Sequence, residues 1–461
     1  MRIAFGTSGW RGVIARDFTE ERVNRVLDAL AIHMIENGGR TAVVGGDTRF
    51  LSPELAAEAA QRLAGYGFDV SLSDRPVPTP VLSHAVRRLG FAGAINFTAS
   101  HNPFMYNGIK FSPGSGGPAP SDVTRRIEEL IEAGSAPSGG SGSVTVDDLV
   151  SPYVADLPAF IDRALIAGAG LRVVYDAFNG TGSGILDTFL QTAGASVRTI
   201  HGRRNPLFDD RHPEPNETGL ADLSEQVVRS GATLGTATDG DADRFGLTDE
   251  NGRFVSPHDF IALLFEYLVQ EKGFRGAGVR SVTTGSLIDR VASSMGMEII
   301  ETPVGFKHLG AVMLGREVVV AGEESGGLSI GGHVPEKDGI LACLLACEMC
   351  ARRRTGLGTQ LESLWSRFGR LLHSRMDLRL EGDTGDRVRR AFIENQPSGL
   401  DGCRVAGVDR RDGVRLTLEG GASLLVRLSG TEPLARIYLE AGSEQALSGL
   451  EAAVTRALAE A

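Results

Sequence analysis

The sequence predicts an α/β protein in which three tandem, related α/β domains with mixed sheets precede a smaller C-terminal α+β domain. The length of 461 residues, with 42% hydrophobic and 23% charged residues, is typical of a globular chain of about three or four domains. A unit of strand, turn, helix and strand recurs three times before residue 310. After about residue 370 the pattern changes to hairpin-like strands, which indicates a domain of another type.

The three repeats share a strand, a small-residue turn, a helix and a second strand that is entered through a glycine-containing turn. They lie at residues 40–74, 171–201 and 279–305. Strands and helices that alternate at this length are typical of right-handed βαβ crossovers, so each repeat predicts part of a layered sheet. From this spacing we place four domains, at residues 1–150, 151–254, 255–368 and 369–461.

The C-terminal region has a different order of elements. Residues 386–396 are predicted as a helix, residues 402–429 and 435–441 as strands, and an alanine-rich helix closes the chain. This order predicts an α+β fold. Further upstream, residues 134–143 (GSAPSGGSGS) are the linker-like stretch of the sequence, and their composition predicts flexibility.

Charge and hydropathy exclude several classes of partner. The net charge of -11 disfavours a nucleic acid or an anionic membrane, because both bind basic surfaces. No stretch of the sequence approaches the roughly 20 apolar residues that span a bilayer, so we expect no membrane insertion. The first residues, MRIAFGTSGWRG, lack an apolar region followed by a cleavage site, so we expect a cytoplasmic protein.

Three of the four cysteines lie close together, which raises the alternative of a metal or redox site. Cys343, Cys347 and Cys350 recur at helical spacing in the apolar run ILACLLACEMC. Buried free cysteine packs as a small apolar residue, so we expect all three in the core on one face of a helix.

The first candidate site is a polar turn that follows a predicted strand in FAGAINFTASHNP. Ser100 and His101 lie at its tip. A serine held there is a candidate phosphoryl acceptor if cations such as Lys110 and Arg11 neutralise the phosphate. The alternative is an ordinary Asn-Pro turn capped by the serine.

The second candidate site is the acidic segment TATDGDADRFG. Asp239, Asp241 and Asp243 alternate there, so their carboxylates are able to surround one hard divalent cation. The segment nearly fits a calcium-binding helix-loop-helix frame with Glu250 at the twelfth position, but Arg244 occupies the sixth position, where glycine is required. We therefore expect Mg²⁺, completed by a phosphate oxygen and with Arg244 beside it. A solvated acidic turn is the alternative.

The third candidate site is a glycine-rich loop after the strand in VVVAGEESGGLSIGGH. It presents Glu323 and Ser325, whose oxygens are suited to the hydroxyl groups of a polyol. Lys307 and Lys337 are candidate substrate contacts from neighbouring segments. An ordinary glycine-rich turn and two solvated lysines are the alternative.

The fourth candidate site is the segment LLVRLSGTEP between two predicted strands. A guanidinium, two hydroxyls and an unobstructed backbone amide are all donors to a single phosphate. The residues that supply them are Arg427, Ser429, Gly430 and Thr431. A plain hairpin turn is the alternative.

Together the four loops resemble the α-D-phosphohexomutase superfamily, over essentially the whole chain and in the same order. The matching segments are TASHNP with Ser100, DGDADR with the three aspartates, GEESGG with Glu323 and Ser325, and RLSGTEP with Arg427 to Thr431. The opening GTSGWRG and the segments YNGIKF and EKDG also resemble family positions. The resemblance implies four domains around one cleft.

The same resemblance implies an activity and a set of roles. A phosphorylated Ser100 would exchange its phosphoryl group with a hexose 1-phosphate through a bisphosphorylated intermediate, giving a hexose 6-phosphate. Arg11 would contact the phosphoserine, Lys110 would assist proton transfer, and His101 would complete the catalytic set. Lys337, in EKDG, would lie at the substrate site. Mg²⁺ is the implied cofactor, a hexose 1,6-bisphosphate the activator, a phosphosugar the partner, and a monomer or homodimer the assembly.

The sugar is ranked from the form of the sugar loop. GEES is similar to glucose-directed members, and Gly327 stands where members with other preferences often place histidine. We therefore expect glucose first, mannose second and glucosamine third. Two rival functions stay open at this point: a metal-dependent sugar phosphatase, and a non-catalytic sugar-phosphate binder.

Overall fold

A computed structural model describes residues 3–6, 9–428 and 434–461. It contains three successive α/β units with mixed sheets and a C-terminal unit with an antiparallel sheet. The predicted fold class is therefore confirmed. The domain boundaries that we placed after residues 150, 254 and 368 stay predictions.

The first domain has a six-stranded sheet of order β1-β5-β4-β2-β3-β6. The predicted repeat is present, since β2 and β3 pair in parallel and are joined by a helix. The elements of this domain are β1 Trp10–Val13, α1 Glu20–Glu36, β2 Thr41–Gly46, α2 Ser52–Ala64, β3 Asp69–Ser73, α3 Thr79–Leu89, β4 Gly93–Phe97, β5 Tyr106–Pro113, α4 Ser121–Ala133 and β6 Ser143–Asp147, and the connection to the next domain holds α5 Val150–Asp156 and α6 Arg163–Ala169.

The second and third domains repeat the parallel crossover, with β7 beside β8 and β12 beside β13. The second domain comprises β7 Arg172–Asp176, α7 Leu186–Thr192, β8 Ser196–Ile200, α8 Ala221–Ser230, β9 Leu234–Thr238, β10 Phe245–Thr248 and β11 Phe254–Val255. The third comprises α9 Pro257–Gln270, β12 Ala277–Ser281, α10 Leu287–Ser294, β13 Ile299–Thr302, α11 Phe306–Gly315, β14 Val318–Gly322, β15 Leu328–Ile330, α12 Gly339–Arg353 and α13 Leu357–Phe368.

The fourth domain has a sheet of order β16-β21-β20-β19-β18-β17. Its elements are β16 Leu372–Arg379, α14 Thr384–Val388 continued by a π-helical turn at Arg389–Glu394, β17 Gly399–Leu400, β18 Cys403–Asp409, β19 Val414–Leu418, β20 Ser423–Leu428, β21 Leu434–Ala441 and α15 Glu444–Glu460. Sequence analysis missed β16, because its residues LHSRMDLR are mostly polar and no residue of the strand is fully buried.

The linker-like stretch at 134–143 lies inside the first domain rather than between domains. Its end is tied to the chain at α2 and β3, since Gly140 N donates to Gly65 O at 2.8 Å and Gly142 N to Ala64 O at 2.9 Å. A Cβ atom at Gly142 would collide with the backbone of Phe68, so glycine permits this close approach. The segment then enters β6, which pairs in parallel with β3.

A single apolar cluster, here called the shared core, joins the first three domains. It includes Val43 of the first domain, Tyr175 and Phe245 of the second, and Phe260 of the third. Helix α12 lies within it, and its three cysteines are buried and free, as predicted from their spacing: Cys343, Cys347 and Cys350. The fourth domain has a separate cluster around Phe392.

Helices that combine the length and the apolar character needed to cross a bilayer are absent from the described part of the chain.

Candidate active site

Three of the four predicted loops meet at the carboxyl ends of β4, β9 and β14. Ser100 Oγ of the first loop donates a hydrogen bond to Asp239 Oδ2 of the second, at 2.7 Å. Arg244, at the end of the acidic loop, forms an isolated backbone bridge with Gly327 of the third. The Arg244 guanidinium also pairs with Glu214 at 3.1 Å. Ligands commonly bind at the carboxyl ends of strands in α/β sheets, so this meeting point is the candidate active site.

The three aspartates form a buried carboxylate cluster. Asp239, Asp241 and Asp243 have no exposed surface, and one oxygen of each lies within 4.8 Å of the others. Lys110 Nζ donates to Oδ2 of Asp241 at 2.5 Å and to Oδ2 of Asp243 at 2.6 Å. Lys337 Nζ lies 2.9 Å from the same oxygen of Asp243.

This cluster fits a Mg²⁺ ion. The Oδ1 atoms of Asp241 and Asp243 are buried and accept no hydrogen bond from the described residues. Buried carboxylate oxygens without a donor are costly unless a cation binds them, and Mg²⁺ takes such hard oxygen ligands. Asp239, Asp241 and Asp243 are therefore the residues that would hold the ion.

The electrostatics of the cluster also favour a bound cation. Burial raises the pKa of Asp239 well above its ordinary value, and repulsion from Asp241 and Asp243 adds to the effect. Burial also opposes ionisation of Asp243, but Lys110 and Lys337 outweigh it and lower the pKa of that carboxyl. Three carboxylates this close repel one another, and a divalent cation removes that repulsion.

Cations also lie near the Ser100 turn. Arg11 Nη1 donates to Asn102 Oδ1 at 2.5 Å. Burial and then the proximity of Arg244 lower the pKa of the Arg11 guanidinium. Burial, Arg244 and Arg11 also hold the pKa of His101 well below its usual range. Guanidinium groups packed together in this way are stabilised by a shared anion.

Sequence analysis missed Thr79, which holds a candidate metal ligand from another domain. Thr79 Oγ1 donates to Asp241 Oδ2 at 2.5 Å, and Thr79 N donates to Asp241 O at 3.0 Å. Asn96 Nδ2 in turn donates to Thr79 Oγ1 at 2.9 Å. The threonine begins α3, where backbone N–H groups have no helical partner and are free to bind a neighbouring loop.

The residues predicted to contact the sugar differ in how far they are buried. Glu323 is buried and accepts a hydrogen bond from Gly305 N at 2.8 Å. Burial and the neighbouring Glu324 raise the pKa of Glu323 to about 7. Lys307 is half-buried in the first turn of α11, two residues beyond Gly305, whereas Ser325 is exposed on the turn between β14 and β15.

Gly327 of the same loop lies directly against Lys337. A Cβ atom at this position would collide with the Cδ and Cγ atoms of the Lys337 side chain. A larger residue at position 327 would therefore displace the lysine from Asp243, so glycine and the present lysine position depend on each other.

Arg427 is the described part of the predicted phosphate loop. It lies in β20, one residue before the strand ends, and pairs with Asp412 at 2.9 Å. Asp412 Oδ2 also accepts a hydrogen bond from Val304 N of the third domain at 2.8 Å. Asp412 thus links the arginine to the third domain. The other predicted residues of this loop lie outside the described part of the chain: Ser429, Gly430 and Thr431.

Comparisons with known proteins agree with this architecture. The chain matches all four domain models of the phosphoglucomutase/phosphomannomutase family: α/β/α domain I over residues 2–138, domain II over 151–252, domain III over 256–368 and the C-terminal domain over 387–457.

Individual relatives carry different substrate names. A phosphoglucomutase/phosphomannomutase of Thermococcus kodakarensis is 31% identical, with 96% of this chain and 95% of the relative aligned. A protein of Methanopyrus kandleri, provisionally named a phosphoglucosamine mutase, is 32% identical over 96% of this chain and 94% of its own. A crystal structure from Thermus thermophilus, provisionally named a phosphomannomutase, is 36% identical with a TM-score of 0.88, and both chains are covered completely.

The chain therefore belongs to the phosphoglucomutase/phosphomannomutase family of the α-D-phosphohexomutase superfamily, and it is a phosphohexomutase. A phosphosugar is its implied substrate. At about 30% identity the relatives leave the sugar open among glucose, mannose and glucosamine.

Proposed function

We propose that the protein interconverts glucose 1-phosphate and glucose 6-phosphate through a phosphorylated Ser100 and a bisphosphorylated glucose. The observation that carries this proposal is the hydrogen bond of 2.7 Å from Ser100 Oγ to the buried Asp239, at the edge of the cluster that fits Mg²⁺. A serine in this position faces both the candidate metal ligands and the cations that a phosphate requires.

In the proposed cycle, phospho-Ser100 transfers its phosphoryl group to the free 6-hydroxyl of glucose 1-phosphate. The bond from phosphorus to Ser100 Oγ breaks, the bond to the sugar oxygen forms, and the hydroxyl proton passes to the departing Ser100 Oγ with the assistance of Lys110. The bisphosphate then reorients, and its 1-phosphoryl group returns to Ser100. Bound Mg²⁺ would neutralise charge on the transferring group.

The remaining site residues have proposed roles that follow the same cycle. Arg11, Arg244 and His101 surround the phosphoserine. Glu323 and Ser325 bind sugar hydroxyls, with Lys307 and Lys337 as further contacts. The phosphate that does not react is held by the predicted loop of Arg427, Ser429, Gly430 and Thr431.

Glucose is the proposed sugar because of the GEES form of the loop and the glycine at position 327. The contact between Gly327 and Lys337 supports this choice, since it leaves no room for a histidine side chain without moving the lysine. Mannose and glucosamine phosphates are the alternative substrates. A glucose 1,6-bisphosphate is the proposed activator, because it would phosphorylate an unmodified Ser100.

Phosphorus NMR tests the proposal directly. The protein is incubated with glucose 1-phosphate, Mg²⁺ and a trace of glucose 1,6-bisphosphate, with Ser100→Ala as the control. We expect conversion to glucose 6-phosphate by the wild type and a loss of several orders of magnitude in the variant, with hexose phosphate still bound. Inorganic phosphate without an isomer would favour a phosphatase. If glucose 1-phosphate is unchanged while mannose or glucosamine 1-phosphate is converted, the sugar assignment is wrong.

A further inference from the structure

The backbone of Ser100 is held in an uncommon conformation by three separate contacts. Its φ of 51° is left-handed, which costs a residue with a side chain about 1 kcal/mol or more. Thr98 Oγ1 accepts its N–H at 2.9 Å, and Asp239 accepts its hydroxyl. Its carbonyl accepts a hydrogen bond from Arg49 Nη2 at 2.5 Å.

Arg49 binds the whole turn, and not Ser100 alone. Its side chain has no exposed surface. Nη2 also donates to Asn102 O at 2.6 Å, while Nη1 donates to Pro103 O at 2.9 Å and to Tyr106 O at 3.1 Å. One guanidinium thus binds four carbonyl groups in the turn between β4 and β5, where the chain leaves the strand ladder.

The guanidinium is itself fixed on its remaining sides. Its Nε lies 3.2 Å from Asp47 Oδ2, which also accepts a hydrogen bond from Thr98 Oγ1 at 2.6 Å. The Phe208 ring lies against it, 4.8 Å from centroid to guanidinium carbon. The groups that hold the N–H and the carbonyl of Ser100 are therefore both tied to Asp47.

These contacts leave Arg49 without a donor for a substrate. Four N–H groups of Nη1 and Nη2 donate to carbonyls, and the buried Nε makes an ion-pair contact with Asp47 but no hydrogen bond, so no donor of the guanidinium is exposed to a substrate. An arginine of this kind does not bind phosphate. It sets the geometry of the chain that carries the acceptor.

We propose that Arg49 is a positioning residue for phosphoryl transfer: by binding the carbonyls of residues 100–106 it fixes the direction in which Ser100 Oγ faces Asp239. This inference rests on the proposed function, in which Ser100 carries the phosphoryl group. Misplacement of a reacting atom by about 1 Å costs on the order of 100-fold in rate, so the effect is measurable.

The test variant is Arg49→Lys. The lysine ammonium keeps the positive charge, but its single nitrogen cannot donate hydrogen bonds to the four carbonyls that the two terminal nitrogens of the guanidinium bind. Dephosphorylated protein is mixed with glucose 1,6-bisphosphate, and phosphorylation of Ser100 is followed by intact-protein mass spectrometry. We expect phosphorylation and kcat to fall together by about 100-fold, while KM for glucose 1-phosphate and Mn²⁺ affinity measured by EPR change less than about threefold.

The matched control is Arg62→Lys. Arg62 also forms a two-point pair with an aspartate of the first domain, Asp28, at 2.7 and 2.9 Å, but it lies away from the turn. We expect this variant to lose stability and to keep the phosphorylation rate per folded molecule. If Arg49→Lys does not fold, Phe208→Leu removes the ring that packs on the guanidinium and retains Arg49 and Asp47. A phosphorylation rate reduced about tenfold in that variant would support the proposal.

The outcomes separate the two proposals. A wild-type protein that takes no phosphate at Ser100 contradicts the proposed function. A wild-type protein that is phosphorylated, with a folded Arg49→Lys variant phosphorylated at the same rate, overturns only the role of Arg49. If Arg49→Lys is unfolded, wild-type rates in Phe208→Leu overturn that role.

Discussion

The fourth domain is attached to the molecule in a different way from that in which the first three domains are joined to one another. The first three domains are joined by one shared apolar cluster, in addition to a separate cluster within the first domain, and they meet at the aspartate cluster. The fourth has its own core and joins the third domain through hydrogen bonds, ion pairs and a stacked histidine pair, with Leu371 as its apolar contact in the shared core. Among these contacts, Glu301 pairs with Arg411 at 2.5 Å and with Arg415 at 2.6 Å, and Ser286 N donates to Glu440 at 2.7 Å.

This difference separates two tasks. Ser100 and the candidate metal ligands lie where three domains are packed on a continuous core. Any distortion of their geometry would disturb this packing and is therefore energetically costly. Arg427 lies on a domain attached by polar contacts, whose net contribution to stability is small because the same groups bind water when they separate. The molecule thus combines a firmly held Ser100, the proposed acceptor, with Arg427, the proposed phosphate-binding arginine, on a domain attached chiefly by polar contacts.

The largest effect is expected inside the fixed region. Asp241→Asn removes charge from the buried cluster, so we expect kcat to fall by about 1000-fold or more and the Mg²⁺ dependence to weaken with it. The measurement is kcat against Mg²⁺ concentration, combined with Mn²⁺ binding by EPR. An unchanged metal response would place the metal elsewhere.

Core truncations test whether the two regions unfold separately. Phe260 lies in the shared core and Phe392 in the core of the fourth domain, and both are fully buried. We expect each alanine variant to lose about 3–5 kcal/mol. In calorimetry Phe260→Ala should lower the transition of the first three domains, and Phe392→Ala only that of the fourth. If both variants shift a single common transition, the comparison is wrong.

A pH dependence is expected at the joint between the third and fourth domains. Burial raises the pKa of Glu440, but hydrogen bonds from His373 and Ser286 outweigh it and lower that pKa from 4.5 to about 2. Because the pKa is depressed in the folded state, this stabilisation is complete above pH 4.5 and is lost as the pH falls towards 2. The difference corresponds to about 3 kcal/mol.

Hydrogen exchange at β16 and β21 measures this effect. We expect exchange of the wild type to accelerate across that acidic range more than exchange of Glu440→Gln, which has no carboxylate to protonate. Identical acid profiles for the two proteins would show that Glu440 does not hold the joint.

The smallest effect is expected at the link between Arg427 and the third domain. Asp412→Asn weakens the ion pair to Arg427 and the acceptor for Val304 N, so we expect KM for glucose 1-phosphate to rise about tenfold with kcat within about threefold. Glu419→Gln is the control, because it removes an exposed ion pair, to Arg404, from the same domain. A KM change of equal size in the control would remove the special role of Asp412.

Short-range pattern was enough to predict much of the fold. The repeated crossovers and the buried cysteines of α12 follow from segments whose own residues determine their structure, whereas the meeting of Ser100 with the aspartates, 139 positions apart, was implied only by the family resemblance. Edge strands β6 and β16 were not predicted, because their residues, SVTVD and LHSRMDLR, are mostly polar and none of them is fully buried. The composition of residues 134–143 predicts a linker, because composition alone does not indicate the backbone contacts that Gly142 makes with Ala64 and Phe68.

The supporting residues of the site could not be predicted, for a different reason. Thr79 reaches Asp241 across 162 positions of the chain, and Arg49 reaches the Ser100 turn across about 50. Neither residue lies in a motif that indicates which residue it contacts, since a threonine at a helix start and an arginine after a strand are both common. Their roles arise only when the domains are packed.

The contact between Thr79 and Asp241 has a thermodynamic consequence. The threonine belongs to the first domain and the aspartate to the second, so whatever orders Asp241 also favours the docked arrangement of the two domains. Linkage is reciprocal: a cation that binds the docked pair more tightly than the separated domains stabilises docking by the same free energy by which docking strengthens its binding. A divalent cation bound at the aspartate cluster would therefore change how firmly the first domain is attached.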